Sequence, residues 1–339
     1  MTMTVERSVG ISPEPLNYEG VLTRIPEAVS FANIEAETSG LAKTPEGKFA
    51  LTYLLANRNL LQPILSDLSS ISPDLLQPIG GFSYNPERSI DNIGSAVALY
   101  ITQKTEEIPR LFMRTEESAR WESIGDIDQP IENGERFAVI DPLDMTHGIV
   151  NNNRVQTTGI AIYDKQGDIR AVGIISLVDD KYVFVENDRG TLRVYPEAPA
   201  ASKTDTQEDA DTIRMATLTR RMQYFQDIPF LTNGGVRTMD AGISGYPILA
   251  LHHNMLDTVV DHVKGSAWYE LVIWARAAQA LGFPVSDKDG NPIDISAIMR
   301  RVIAHHEGDN YRIPVIISRT PEIHQRVLSL LKPSNATPR

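Results

Sequence analysis

The 339-residue chain contains no cysteine. Disulfides, thiolate nucleophiles and zinc–thiolate centres are therefore excluded. Positive charge is scarce: 32 Lys and Arg stand against 44 Asp and Glu, for a formal net charge of -12. A nucleic-acid partner needs clustered basic residues, and an anionic membrane surface attracts the same, so neither partner is expected. A protein of this charge can still bind an anionic phosphate if something local supplies positive charge, and a bound metal ion does so. Long apolar runs are absent too; nothing approaches the ~18 consecutive apolar residues of a membrane-spanning helix. Met1 to Gly20 has no basic segment followed by an apolar one, so no secretory signal is read there. The expectation is a soluble, cytoplasmic protein. The seven histidines show no H-E-x-x-H spacing. His252-His253 and His305-His306 are adjacent pairs, whose side chains point apart, and they read as surface or core histidines.

What is present suffices for a sizeable core, since 42% of the residues are hydrophobic. Length allows two domains or one large one. Residues 1–43 carry scattered prolines (Pro13, Pro15, Pro26) and read as an extended or partly ordered N-terminal arm. From Thr44 the spacing turns helical, with Phe49, Leu51, Leu54, Leu55, Leu60, Leu61, Ile64 and Leu68 recurring near a period of 3.6. Thr44-Pro45-Glu46 supplies an N-cap, a proline at the first helical position and an early acid. Gly80, Gly81 and Pro86 mark a loop or turn, and Ile90 to Lys104 a second helix. Arg136 to Ile140 reads as a strand. Thr157–Tyr163, Ile169–Leu177 and Lys181–Glu186, divided by turn signals, read as an antiparallel meander. Polar Ala198 to Asp211 reads as a linker between a domain at 44–197 and one at 212–332. Beyond it are predicted a strand at Ile213–Leu218, a helix at Thr219–Phe225, and helical patterns at Ala241–Leu256 and Ala267–Leu281. Late strands at Val302–Ala304 and Pro314–Ser318 and a closing helix at Thr320–Leu331 complete the reading. No internal repeat is evident.

The most informative segment is Ala138-Val139-Ile140-Asp141-Pro142-Leu143-Asp144-Met145-Thr146. An apolar run leads into two carboxylates three residues apart. Pro142 cannot donate to a sheet ladder, so the strand is predicted to end there and leave both acids on the following turn. Two carboxylates in a small volume repel each other unless protons or cations intervene. A hard cation with oxygen ligands resolves this, and magnesium takes one or two carboxylates plus substrate phosphate. An isolated D-x-x-D also suits a solvated acidic turn. Upstream lie Glu116-Glu117-Ser118, which alone is a surface pair, and Asp91, which alone is a helix N-cap.

Taken in order, Asp91, then Glu116-Glu117-Ser118, then Asp141-Pro142-Leu143-Asp144-x-Thr146 resembles the inositol monophosphatase family. Fructose-1,6-bisphosphatases and bisphosphonucleotide phosphatases belong to the same superfamily. Arg237-Thr238 with Gly242-Ile243-Ser244, the acid Asp257, and Gly265-Ser266-Ala267-Trp268 before a helix ending near Gly282 extend the resemblance over roughly residues 44–332. The resemblance implies a layered α/β/α/β/α sandwich, with an antiparallel sheet in the N-terminal domain and a smaller mixed or parallel sheet in the C-terminal domain. It implies a homodimer, and magnesium-dependent hydrolysis of a small phosphorylated polyol or sugar, such as an inositol phosphate or fructose 1,6-bisphosphate. On that pattern Glu116, Asp141 and the Leu143 carbonyl hold one metal, and Asp141 and Asp144 a second. Thr146 and Asp91 orient and deprotonate the attacking water, and the Met145 and Thr146 N–H groups bind phosphate oxygens. Asp261 and Ser244 are placed to read substrate hydroxyls.

Three positions depart from the family pattern. Met145 replaces a glycine, Tyr269 replaces the aspartate after the tryptophan, and Gly80 to Ile90 lacks the usual lysine, with Arg88 its only cation. The lost aspartate is a ligand of the second metal. Glu270 lies one residue on, rotated by about 100° on a helix, so it substitutes only if the helix shifts or bends. Tyr269 offers instead a hydrogen bond to the leaving group. Two other readings stand beside the phosphatase: a catalytically impaired relative that binds a phosphorylated ligand or protein partner without turnover, and an enzyme acting on a nucleotide bisphosphate.

Overall fold

A computed structural model describes residues 17–66, 75, 78–82, 85–104, 108, 110–115, 121–125, 135–144, 155–197, 212–217, 236–240, 244–304 and 312–331. The linker at 198–211, the helix expected at 219–225 and the pair His305-His306 lie outside them.

The chain opens with α1 (Tyr18–Leu22), α2 (Ile25–Ser39) and α3 (Pro45–Ser66). Residues 18–22 and 25–39 are thus helical, where an extended or partly ordered arm was expected. Pro26 sits in the first turn of α2, where a missing N–H costs nothing, and Ala28, Val29, Ala32 and Ala36 bury one face of the helix. Gly40 ends it at φ 62°, a left-handed conformation that glycine adopts without strain. α3 starts as its sequence predicts, with the Thr44 hydroxyl accepting the Gly47 N–H at 3.0 Å.

Glu186 completes that helix start from afar. Its fully buried carboxylate accepts the Lys43 N–H at 2.9 Å, the Thr44 N–H at 3.2 Å and the Thr44 hydroxyl at 3.2 Å. A negative charge at a helix N-terminus is favourable, and removing it leaves three part-buried donors without their acceptor. Glu186→Ala is expected to lose about 3 kcal/mol of stability in urea unfolding. A loss under about 0.5 kcal/mol would mean that water or a neighbour takes over the donors.

The β1 (Pro78–Phe82) and β2 (Asn85–Arg88) strands pair antiparallel over the segment where a loop or turn was expected. α4 (Asp91–Lys104) follows at the predicted place. The strands β3 (Arg110–Thr115), β4 (Glu122–Gly125), β5 (Glu135–Asp144), β6 (Thr157–Asp164), β7 (Ile169–Ser176), β8 (Tyr182–Asp188) and β9 (Thr191–Tyr195) form a seven-stranded sheet. Its order is β4-β3-β5-β6-β7-β8-β9. The predicted meander is its antiparallel half, and the β3–β5 pair is parallel. A second sheet holds β10 (Ile213–Thr217), β11 (Val236–Asp240), β12 (Thr258–Ala267), β13 (Val285–Ser286) and β14 (Arg312–Ser318) in the mixed order β11-β10-β12-β14-β13.

Between the sheets run α5 (Gly245–His252) and a continuous helix built from α6 (Trp268–Glu270), a π-helical segment (Leu271–Ala275) and α7 (Arg276–Ala280). α8 (Ile295–Ala304) and α9 (Pro321–Leu331) complete the chain. Val302–Ala304, expected as a strand, is the last turn of α8. Of the helical pattern at 241–256, residues 245–252 are helix among the described residues, and β12 begins at Thr258.

The cores follow this layering. One face of the large sheet packs Leu111, Met113, Ile140 and Ile160 against α2, α3 and α4. The other packs Phe137, Val139, Ala161 and Val172 against α5, the π-containing helix and Val259, Val315 and Ile317 of the small sheet. Beyond the small sheet, Met215, Val260 and Ile316 meet Val327 and Leu328 of α9. The result is the five-layer α/β/α/β/α sandwich.

Candidate active site

The two acids of D-P-L-D lie within β5, which runs on through Pro142 to Asp144 instead of stopping at the proline. Asp141 pairs with Gly159 and Asp144 with Thr157, so three steps on β5 match two on β6. In a regular strand, residues three apart face opposite sides of the sheet. The extra residue of this bulge returns Asp144 to the side of Asp141. That side is the α5 side: Val139, two residues before Asp141, belongs to the core there. Leu143 packs into the opposite core. Asp141 is 2% exposed and Asp144 half-buried.

The bulge is held from both sides. Beneath it, the Thr158 hydroxyl donates to the Asp141 carbonyl at 3.2 Å and accepts from the amide of Asn57, on α3, at 3.0 Å. The same amide lies 3.5 Å from the Pro142 carbonyl. Gly94 of α4 presses on Pro142 so closely that an added Cβ would come within 2.4 Å of the proline Cβ. The first turn of α4, which opens at Asp91, is thereby brought to the bulge. On the other side, Asp144 Oδ2 accepts the Gly245 N–H at 2.7 Å and the Thr157 hydroxyl at 3.0 Å. The Gly245 donor belongs to the first turn of α5, where orphan N–H groups and the helix dipole favour an anion. A Cβ on Gly245 would sit 2.3 Å from Thr157 Oγ1. Only a glycine lets the backbone approach Asp144 so closely.

Ser244 is the N-cap of α5 and 2% exposed. Its hydroxyl is buried without a hydrogen-bond partner among the described residues. Tyr269 packs partly buried against the inter-sheet core, edge-on to Trp268 with ring centroids 5.9 Å apart. Glu270 turns back on its own helix: its carboxylate accepts the Ala267 N–H at 2.5 Å. The helix does shift after it, through the π segment, whose freed Val272 carbonyl accepts the Tyr163 hydroxyl. Burial pushes the Tyr163 phenol pKa far up, so it remains a donor. That segment also seats Trp274 over Gly159, the partner of Asp141, where a Cβ would lie 2.1 Å from the indole.

Asp261 lies on β12 rather than on a helix, 7% exposed, and accepts the Ser266 hydroxyl at 3.2 Å across a bulge in that strand. Asp257 is an anchor instead. Its carboxylate takes both Arg214 and Arg319 and ties β10 to the end of β14.

The structure therefore brings together Asp141, Leu143, Asp144 and the start of α5 with Ser244. Glu116, Met145 and Thr146 fall outside the described residues, and so does the side chain of Asp91. Among the described residues no three His, Cys, Asp or Glu side chains gather as a metal centre. The two β5 carboxylates form an all-oxygen pair that fits a hard cation such as magnesium. Asn57, Thr157 and Gly245 were not singled out from sequence. Each acts through a partner distant in the chain, and no local motif marks it.

The architecture is that of the inositol monophosphatases. It matches the extragenic suppressor protein suhB from Bartonella henselae with a TM-score of 0.55 at 16% identity, covering 84% of this chain and 98% of that one. Thermotoga maritima IMPase matches with a TM-score of 0.52 at 14% identity, over 81% of this chain and 94% of that one. An IMPase/NADP phosphatase complexed with Mg2+ and phosphate matches with a TM-score of 0.53 at 14% identity, over 82% and 95%. No family model and no curated protein matches the sequence.

Proposed function

We propose that this chain is a divergent inositol monophosphatase-family enzyme, a magnesium-dependent phosphatase of a small phosphorylated polyol or sugar. The observation that carries the reading is the β5 bulge, which sets Asp141 and Asp144 on one face beside the start of α5. The motif order and the fold support it.

Asp141, Asp144 and the Leu143 carbonyl, with Glu116 from the E-E-S segment, are the residues that would hold magnesium. Bound there, the metal supplies positive charge for the phosphoryl oxygens and a water that is nucleophilic at neutral pH. The chain's own residues do the rest. Thr157 and Gly245 fix one oxygen of Asp144, which leaves its carboxylate one orientation. Thr158 and Asn57 fix the backbone at Asp141 and Pro142, and with it the direction of the Leu143 carbonyl. Thr146 accepts the proton of the attacking water and passes its own hydroxyl proton to the Asp91 carboxylate, which keeps it. As the P–O ester bond breaks, the Tyr269 hydroxyl donates a hydrogen bond to the departing oxygen. Ser244, buried at the N-cap with its hydroxyl unused, reads a substrate hydroxyl, and Asp261 a second. A homodimer goes with this reading and rests on the resemblance. No helix among the described residues is long and apolar enough to cross a membrane.

The test is phosphate release from inositol 1-phosphate, fructose 1,6-bisphosphate, a bisphosphonucleotide and p-nitrophenyl phosphate across a magnesium titration. Magnesium-dependent turnover, fastest on one of the first two, is expected. Turnover confined to the bisphosphonucleotide would replace the substrate class. No turnover by the folded protein at any magnesium concentration would leave an impaired relative that binds without hydrolysing.

A further inference from the structure

Arg114 is the one cationic side chain that is nearly fully buried among the described residues, at 3% exposure. It stands at the penultimate position of β3, just before the E-E-S segment. Its neighbours fix which way it points. Leu111 and Met113 pack into the α3 and α4 core, whereas Phe112 packs into the inter-sheet core, so alternation directs Arg114 to the inter-sheet side. Its guanidinium carbon accordingly lies 4.5 Å over the ring of Trp268, the first residue of α6. In the parallel ladder Arg114 pairs with Val139, and Asp141 is two residues further along the same face. Strand spacing puts the Arg114 and Asp141 Cα atoms roughly 8 Å apart. A guanidinium keeps its charge under any burial, and an aromatic face holds it in place.

We infer that Arg114 is a fixed cation built into the acidic site, a positioning charge that weakens divalent-metal binding and strengthens binding of the anionic phosphate. The inference rests on the phosphatase reading above and deepens it. Two departures of the sequence then belong together. Tyr269 removes a negative charge from the metal's surroundings, and Arg114 adds a positive one beside Asp141. Both shift the load of holding a phosphate from metal to protein. Arg114 touches no reacting atom in this account. It acts through its field, which at this range between two buried groups is a several-fold effect on each ligand.

A residue that merely supports the fold would, when changed, weaken both ligands. A fixed charge moves them in opposite directions. The measurements are Mn2+ binding, from the free-ion resonance signal with the metal alone, and inorganic phosphate binding by calorimetry at saturating magnesium. Arg114→Met is expected to bind Mn2+ about tenfold tighter and phosphate about tenfold weaker than the parent. Arg114→Lys retains the charge and is expected to stay within about threefold of the parent on both. If Arg114→Met does not fold, Arg114→Gln, with a planar head for the Trp268 ring, carries the same comparison. Unchanged affinities, or both weakened together, would overturn the inference while leaving the phosphatase reading intact. A parent protein that binds no Mn2+ at all would overturn both.

Discussion

Asp141→Asn is expected to cut magnesium-dependent phosphate release by at least about 100-fold, the scale on which losing a key electrostatic group acts in catalysis. It is expected to leave the metal-free protein within about 1 kcal/mol of the parent in stability. The two halves have different causes. The amide keeps the shape of the side chain at a 2%-exposed position, and the backbone bonds that fix the bulge, from Thr158 to the Asp141 carbonyl and from Gly94 packing on Pro142, do not involve the carboxylate. What is lost is a full negative charge and an anionic ligand on the face it shares with Asp144. Thermal unfolding with and without magnesium checks the second half. The parent gains stability from any cation that binds only the folded state, and the variant loses that gain. A variant that still hydrolyses the preferred substrate at more than about a tenth of the parent rate would remove Asp141 from the chemistry, and with it the central claim about the bulge.

How far the site was legible in the sequence depends on how local each feature is. The D-P-L-D acids were legible because residue type and spacing are local. That both face one side was not, because it depends on a register against β6, and a strand stopping at Pro142 was the simpler reading. The helix α2 was obscured by Pro26, which looks like a breaker until it is placed in the first turn. Val302–Ala304 has strand-like residues, but Ile295, Ile298, Met299 and Val302 recur at helical spacing and bury one face of α8. Burial at a period of 3.6 outweighs the weaker preference of β-branched residues. The meander was read at nearly its true bounds, since alternation and turn signals are both short-range. Arg114 was available as a signal, a charged residue in the apolar strand Leu111-Phe112-Met113, but its meaning needed Trp268, far away in sequence.

Asp257 shows the same limit from the other direction. By spacing it was the acid before the tryptophan segment, yet its position in the fold makes it a structural anchor of the small sheet. It is 6% exposed. Oδ2 accepts the Arg214 N–H at 2.9 Å and its Nε at 3.0 Å. Oδ1 accepts Arg214 Nη2 at 2.9 Å and Arg319 Nη2 at 3.0 Å. Asp257→Ala leaves two guanidinium groups facing each other without their shared anion. It is expected to lose about 3–5 kcal/mol in urea unfolding, the cost of breaking rather than replacing a buried ion pair. A loss below about 1 kcal/mol would show that the arginines reach solvent freely and that the triad holds nothing. The pH dependence gives an independent check. Burial alone pushes the Asp257 carboxyl up, but the Arg214 hydrogen bonds and the charges of Arg214 and Arg319 outweigh it and hold its pKa below the ordinary carboxylate range. Its contribution is therefore complete above the unfolded-state pKa and is lost as pH falls through the depressed folded one. Buried His324, held neutral by desolvation, titrates earlier in the same direction, because the unfolded chain takes up its proton first. The stability of the parent should thus fall in two stages as pH drops, the first in the imidazole range and the second in the carboxylate range. Asp257→Ala should keep the first stage and shrink the second, to which Asp179 and Asp287, also held below the ordinary carboxylate range, still contribute. A variant whose acid profile runs parallel to the parent's through the carboxylate range would show that the two arginines contribute nothing to folding through this carboxylate.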